Sequence, residues 1–283
     1  MEKSTDLVLR KTANAIRKNV LRGVFNAQSG HIGGSFSVAD VLAYLYFREL
    51  RIDPQNPQDP TRDRLVLSKG HCAPALYSAL ALRGFFDIGE MERYRQMGSM
   101  LQGHPDKNKV PGIDMSSGSL GQGISAAVGI ALNAKIDKSD YRVYAVLGDG
   151  ELEEGQVWES AMFAARYKLD NLTAIIDNNG LQIDEKVEDV MSGHPIADRF
   201  KAFGWVVFET DGHDFASLEK VFEDCRKAEG IPHAVVAHTV KGRGVSFMEN
   251  NLEWHGSPPN AEQYELAMRE LDALQATLEA NGI

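Results

Sequence analysis

Two stretches decide the fold: Arg142-Val143-Tyr144-Ala145-Val146-Leu147-Gly148-Asp149-Gly150 and Leu172-Thr173-Ala174-Ile175-Ile176-Asp177-Asn178-Asn179-Gly180. Each is an apolar, β-branched run of strand length that ends in a polar turn bearing glycine. Residues 155–168 between them read as a helix. Strand, crossover helix and strand make a parallel pair. Asp149 then ends one strand and Asn179 ends its neighbour, so both side chains reach one point. In parallel sheets ligands bind outside the carboxyl ends of the strands.

The same grammar repeats outward. Arg64–Leu67 ends in Ser68-Lys69-Gly70-His71, Trp205–Glu209 in Thr210–Asp214, and Ala234–Thr239 in Val240–Gly244. Helices are expected near 195–203 and 214–228. The fold class is therefore α/β, a parallel sheet flanked by helices on both faces. A single domain fills 1–283, with an N-terminal helical region over about 1–60 and a helical tail over about 261–281. Within the first region a helix over 5–28 stops at the glycine-dense loop Gln28–Ser35, and a second runs from Ser37 to about Glu49. An apolar helix from Gln122 to about Ala134 follows Met115-Ser116-Ser117-Gly118-Ser119-Leu120-Gly121.

Composition narrows the function classes. The chain has 283 residues, 30 Lys and Arg against 40 Asp and Glu, and a net charge of −10. That balance disfavours nucleic acid as a partner, since phosphate backbones need a basic face. No apolar run approaches the ~18 residues of a membrane span. The N-terminus has no signal-peptide core. Two distant cysteines, Cys72 and Cys225, exclude a disulfide framework and point to the cytoplasm.

Asp149 and Asn179 form an oxygen-only ligand pair. Such a set suits Mg²⁺ or Ca²⁺ and not zinc. A carbonyl after Asn179, such as that of Leu181, is a further candidate ligand. Gly148 and Gly150 would bring backbone N–H groups close to a diphosphate. Either turn alone is ordinary; their pairing across 27 residues (151 to 177) is not.

Gly148-Asp149-Gly150, that spacer and Asn178-Asn179 resemble the thiamine-diphosphate-binding motif. The flanking run from Glu151 through Glu154-Gly155-Gln156-Val157-Trp158-Glu159 resembles transketolase. So do four glycine-neighboured histidines: His31, His71, His104 and His255. Loop histidines suit hydroxyl and phosphate recognition and proton transfer near neutral pH. The resemblance implies that His31 and His104 contact sugar hydroxyls and the reacting centre. It places His71 by the cofactor, and His255 near the diphosphate and the acceptor aldehyde. It puts Gly118 and Leu120 against the aminopyrimidine and Lys241 in a cofactor loop. Glu154 and Glu159 would join a carboxylate network across a subunit interface. His194, His213, His233 and His238 read as structural.

The resemblance covers about residues 10–260, whereas a complete transketolase is more than twice this length. What it implies is the N-terminal, diphosphate-binding subunit of a split transketolase. A C-terminal, pyrimidine-binding subunit would complete the site in an α2β2 assembly; otherwise the chain is a piece of a longer protein. The expected reaction moves a two-carbon ketol unit between sugar phosphates, with thiamine diphosphate and Mg²⁺ (or Ca²⁺) bound. Alternatives are a deoxyxylulose-phosphate synthase, a 2-oxoacid dehydrogenase subunit, or a non-catalytic module that keeps the fold. A nicotinamide dehydrogenase is disfavoured because no Gly-x-Gly-x-x-Gly follows the first strand.

Overall fold

A computed structural model describes residues 1–191 and 195–280. Five parallel strands form the central sheet: β1 (Arg64–Leu67), β2 (Val143–Gly148), β3 (Leu172–Asn178), β6 (Val206–Asp211) and β7 (His233–His238), in the order β1-β2-β3-β7-β6. The short strands β4 (Leu181–Gln182) and β5 (Glu185–Lys186) make a separate antiparallel hairpin, which the sequence reading did not anticipate.

Alternation along the strands divides the core. Leu65, Leu67, Tyr144, Val146, Ile175, Val235 and Ala237 point to one face. Val66, Val143, Ala145, Leu147, Ala174, Ile176 and Val236 point to the other. Burial on both faces is what a parallel sheet requires. On the first face α1 (Lys3–Ala27) packs on α3 (Ala39–Tyr44), α4 (Ala73–Arg83) and the long α10 (Ala261–Ala280), with α9 (Phe215–Lys227) beside the sheet. On the second face lie α5 (Gln122–Asp137), α6 (Gly155–Arg166) and α8 (Ile196–Ala202). A single turn, α7 (Val187–Val190), follows β5.

The second helix begins earlier than expected. A short helix, α2 (Gly33–Ser37), occupies part of the predicted loop, and α3 ends in a widened π turn over Leu45–Glu49. The glycines there serve close approach, not chain reversal. A methyl on Gly33 would stand 2.9 Å from the Trp254 carbonyl, and one on Gly34 would stand 2.8 Å from the Cys72 sulfur. Both cysteines are free and buried. Among the described residues no helix is long and apolar enough to cross a membrane.

Candidate active site at the carboxyl ends of the strands

β2 and β3 pair in register from Val143↔Leu172 to Gly148↔Asp177. Asp149 and Asn179 therefore leave the sheet side by side. They line one cavity of about 240 Å³ with His31, His71, Gly118, Leu120, Gly148, Gly150, Leu181, Lys241 and His255. Among the described residues four larger grooves, of about 620, 320, 770 and 300 Å³, hold no histidine.

Asp149 is almost fully buried. One oxygen accepts from the Gly150 N–H at 2.9 Å, the other from the Gly180 N–H. Burial and, after it, the nearby Asp177 carboxylate push its carboxyl up to about 6, against the pull of those two donors. Such a carboxylate is short of positive charge. Asn179 donates from its amide to Asp177 at 3.2 Å, and its oxygen accepts from the Leu181 N–H at 3.1 Å. Among the described residues no cluster of three or more His, Cys, Asp or Glu could hold a metal by itself. One carboxylate, one amide oxygen and a carbonyl fit a hard ion that takes its remaining ligands from phosphate and water.

The motif glycines act differently from expectation. The Gly148 N–H donates to Glu151 at 3.0 Å and the Gly150 N–H to Asp149, so neither is free to meet a phosphate. A methyl on Gly150 would stand 2.9 Å from Gln182 Cβ, so a side chain there would push on the β4–β5 hairpin. Glu154 stays out of the cavity. It is exposed at the head of α6, and no cap hydrogen bond comes from its side chain. Glu151, three residues earlier, takes the inward place. It is 2% exposed and accepts from the Gly121 N–H, the Gly148 N–H and Ser68 Oγ. One buried carboxylate thus ties the end of β2 to the turn after β1 and the head of α5.

A second group, missed in the sequence, stands at the cavity wall, where Lys69 is one of the lining residues. Lys69 and Asp177 are fully buried and paired. Asp177 also accepts from Ser37 Oγ at 2.6 Å and Thr239 Oγ1 at 2.5 Å. Burial alone would lower the Lys69 ammonium, but Asp177 more than offsets it and the net direction is up. Asp177 moves down for the reciprocal reason, against its own desolvation. Lys69 stands in the turn after β1 and Asp177 near the end of β3, and that position was their only sequence signal.

Three imidazoles close the other side. The rings of His31, His71 and His255 form a triangle with centroid separations of 5.2, 5.4 and 5.5 Å. Burial, then neighbouring cations, depresses all three. His31 falls to about 4, with Arg95 the next cause; His255 falls to about 3, with Lys241 next; His71 lies well below its ordinary value, with Lys69 next. At neutral pH they are uncharged donors and acceptors. The buried Nδ1 of His31 has no hydrogen-bond partner among the described residues. Lys241 is 2% exposed, donates to His255 Nδ1 at 2.8 Å and to the Leu181 carbonyl at 3.1 Å. Burial and the Lys69 charge bring its ammonium down to about 8.

His104 stands apart. It is exposed and does not line the cavity; its ring lies over Gly118, where a methyl would be 3.2 Å away. The histidines read as structural behave differently from one another. His213 bonds Asp40 at 2.7 Å and accepts from the Val240 N–H at 2.9 Å, which steadies the loop carrying Lys241. His233 is buried on the Ala228 carbonyl. His238 is exposed beside Glu209 and Asn178. His194 lies outside the described residues.

Comparison with known proteins agrees with this geometry. The family model for the transketolase thiamine diphosphate binding domain matches residues 8–275. The chain is 46% identical over 264 residues to a 6-deoxy-6-sulfo-D-fructose transketolase subunit from Clostridium sp. strain MSTE9, covering 93% of this chain and 96% of that protein. It is 46% identical over 255 residues to an apulose-4-phosphate transketolase subunit from Phocaeicola vulgatus, covering 90% of each. The crystal structure of Campylobacter jejuni transketolase superposes with TM-score 0.89 at 31% identity. It covers all of this chain, which spans 46% of that one.

Proposed function

The chain belongs to the transketolase family, as its thiamine-diphosphate-binding domain, and on that premise we propose that it is the N-terminal subunit of a two-subunit transketolase. With a C-terminal, pyrimidine-binding subunit it transfers a two-carbon ketol unit from a ketose phosphate to an aldose phosphate. The observation that carries this is the convergence of Asp149, Asn179 and three neutral histidines on one cavity at adjacent strand ends. The printed names of two relatives as transketolase subunits support the division of labour.

In this reading Asp149, Asn179 and the Leu181 carbonyl hold Mg²⁺, for which Ca²⁺ substitutes. Lys241 and His71 face the diphosphate, and Gly118 and Leu120 back the pyrimidine side. When bound, thiamine diphosphate supplies the nucleophilic carbon and electron sink that let a carbon–carbon bond next to a carbonyl break and re-form. The residues of this chain do the rest. His31 and His255, neutral at pH 7, exchange hydrogen bonds with sugar hydroxyls and carry protons to and from them. His104 does the same from the rim.

A partner subunit fits the shape of the site. A cavity of about 240 Å³ is smaller than the ~300–1,000 Å³ of complete small-molecule pockets. Glu154, which caps α6, and Glu159 within it are both exposed, and in this reading a docking half meets them. An α2β2 assembly in the cytoplasm is the corresponding whole.

The test is calorimetric titration of thiamine diphosphate and Mg²⁺ into the chain, then into the chain mixed with its candidate second subunit, followed by an assay of ketose-to-aldose transfer. Transfer only in the mixture is the expected result. Full transfer by the chain alone overturns the split-site reading. Turnover that requires pyruvate instead of a ketose moves the assignment to a synthase or 2-oxoacid enzyme.

A further inference from the structure

Arg95 lies outside every motif the sequence reading singled out. It follows the two-turn 3₁₀ helix Ile88–Arg93 and adopts a left-handed backbone, φ 59°. That conformation is uncommon for a residue with a side chain. Its own N–H donates to the Leu101 carbonyl at 2.8 Å. The guanidinium donates from Nε to Tyr94 Oη at 3.0 Å and from Nη1 to Ser29 Oγ at 2.9 Å. Its plane lies on Gly103, where a methyl would stand 2.8 Å from both Cζ and Nη2. Neither hydrogen-bond partner is a carboxylate.

Ser29 is two residues before His31, and Gly103 is immediately before His104. One rigid cation therefore touches both histidine loops. Tyrosines brace the same two loops. The Tyr77 hydroxyl lies 2.9 and 2.8 Å from the Gln102 and His104 carbonyls, which share its one proton. The Tyr94 ring lies on Gly30, where a methyl would be 3.2 Å away, and meets Tyr77 edge-on at 6.3 Å.

We propose that Arg95 is a positioning residue for sugar recognition: its guanidinium clips the Ser29–His31 loop to the Gly103–His104 loop and sets where the two imidazoles stand relative to each other. The proposal rests on the transketolase reading, which makes those two rings sugar contacts. A fork is needed because the donors must serve Tyr94 and Ser29 while the flat face covers Gly103; a lysine ammonium cannot do all three. The charge has a second effect. After burial, Arg95 is the next cause holding both His31 and His104 below the ordinary imidazole range. His31 also faces His71, His255, His104 and Lys241; His104 faces Arg95 and His31. The rings of His71 and His255 answer to Lys69 and Lys241 and not directly to Arg95.

Two readouts test it. Histidine ring titrations by NMR compare the wild-type chain with Arg95→Met and Arg95→Lys. Arg95→Met raises the pKa of His31 and His104, and moves His255 less than either, since it feels Arg95 only through His31. Unchanged titrations of both rings overturn the proposal, whatever the activity. In the assembled enzyme, Arg95→Lys keeps the charge but loses the fork. It is expected to lower kcat for sugar transfer on the order of 10- to 100-fold with little change in cofactor affinity. Wild-type kcat and KM in Arg95→Lys also overturn it. Should Arg95→Met fail to fold, Ser29→Ala removes one end of the clip and shifts the His31 ring signals. An unaltered His31 spectrum in that variant counts against the role. Absence of sugar turnover in the wild-type complex faults the functional reading, and the ring titrations then decide on Arg95 alone.

Discussion

The ammonium of Lys241 donates to Nδ1 of His255 across 2.8 Å, and this contact fixes which nitrogen of the ring is free to act. An ammonium only donates, so Nδ1 is bare and the proton of the neutral ring sits on Nε2. His255 thus offers a donor to whatever enters the cavity. Lys241→Met should release the tautomer and raise the ring pKa from about 3, since the Lys241 charge is second only to burial in depressing it. Nitrogen-15 shifts of the ring report both. The same constraint weakens in the wild type above about pH 8, where Lys241 itself loses its proton.

Asp149→Asn should separate stability from binding. A carboxyl held at about 6 instead of 3.8 costs the folded, metal-free chain roughly 3 kcal/mol at pH 8. Asparagine removes that charge. It also leaves one of the two N–H donors of Gly150 and Gly180 without an acceptor, at about 1 kcal/mol. The variant is expected to be about 1–2 kcal/mol more stable than wild type in urea at pH 8, and to bind Mg²⁺ with diphosphate at least tenfold more weakly. A less stable variant with intact binding contradicts both halves.

The buried Lys69–Asp177 pair should behave as a unit. Lys69→Met leaves the Asp177 carboxylate in the interior with Ser37, Thr239 and Asn179 as its donors. Loss of one partner of such a pair costs about 3–5 kcal/mol. The double change Lys69→Met with Asp177→Leu is expected to cost less than the sum of the two single changes. Urea unfolding of the four proteins measures the coupling, and strict additivity would show that the pair is not one unit.

Acid should weaken the metal-free chain early. Below 6.5 the unfolded chain protonates the rings of His31, His71 and His255, while the folded chain resists down to about 4 for His31 and about 3 for His255. Their contribution is present above pH 6.5 and is lost as pH falls towards 3. Asp149 works the other way. It takes a proton at about 6 when folded and at 3.8 when unfolded, so it adds stability across that interval. Three rings outweigh one carboxyl, and the Tm is expected to fall steadily from pH 6.5 to 4. A Tm that is flat or rises over that range is the contrary result.

Much of the sheet and part of the site were legible in the sequence because strand ends announce themselves. An apolar run that stops at a polar, glycine-bearing turn marks the carboxyl end of a parallel strand, which is why the sequence brings Asp149 and Asn179 to one cavity. The placing of β7 between β3 and β6 left no such mark, since strand order depends on which helix crosses which face. Glu151 and Glu154 lie in one acidic run, and only the turn after β2 decides which side chain goes inward. Arg95 was invisible for a related reason. It sits in a loop without periodicity, and its partners Ser29 and Gly103 are distant in the chain. The glycine-dense run before Ser35 misled in the opposite sense, because glycine there admits Trp254 and Cys72 instead of breaking a helix.

The histidine triangle has a consequence for anyone who maps this site by substitution. Each of the three rings packs on the other two, so replacing one changes the packing, the solvent exposure and the electric field of its neighbours together. Single alanine effects at His31, His71 and His255 will therefore overlap and will not sum to the effect of the triple replacement. Epistasis among them is a property of the fold, and a combinatorial library over the three positions will resolve what a one-at-a-time scan confounds.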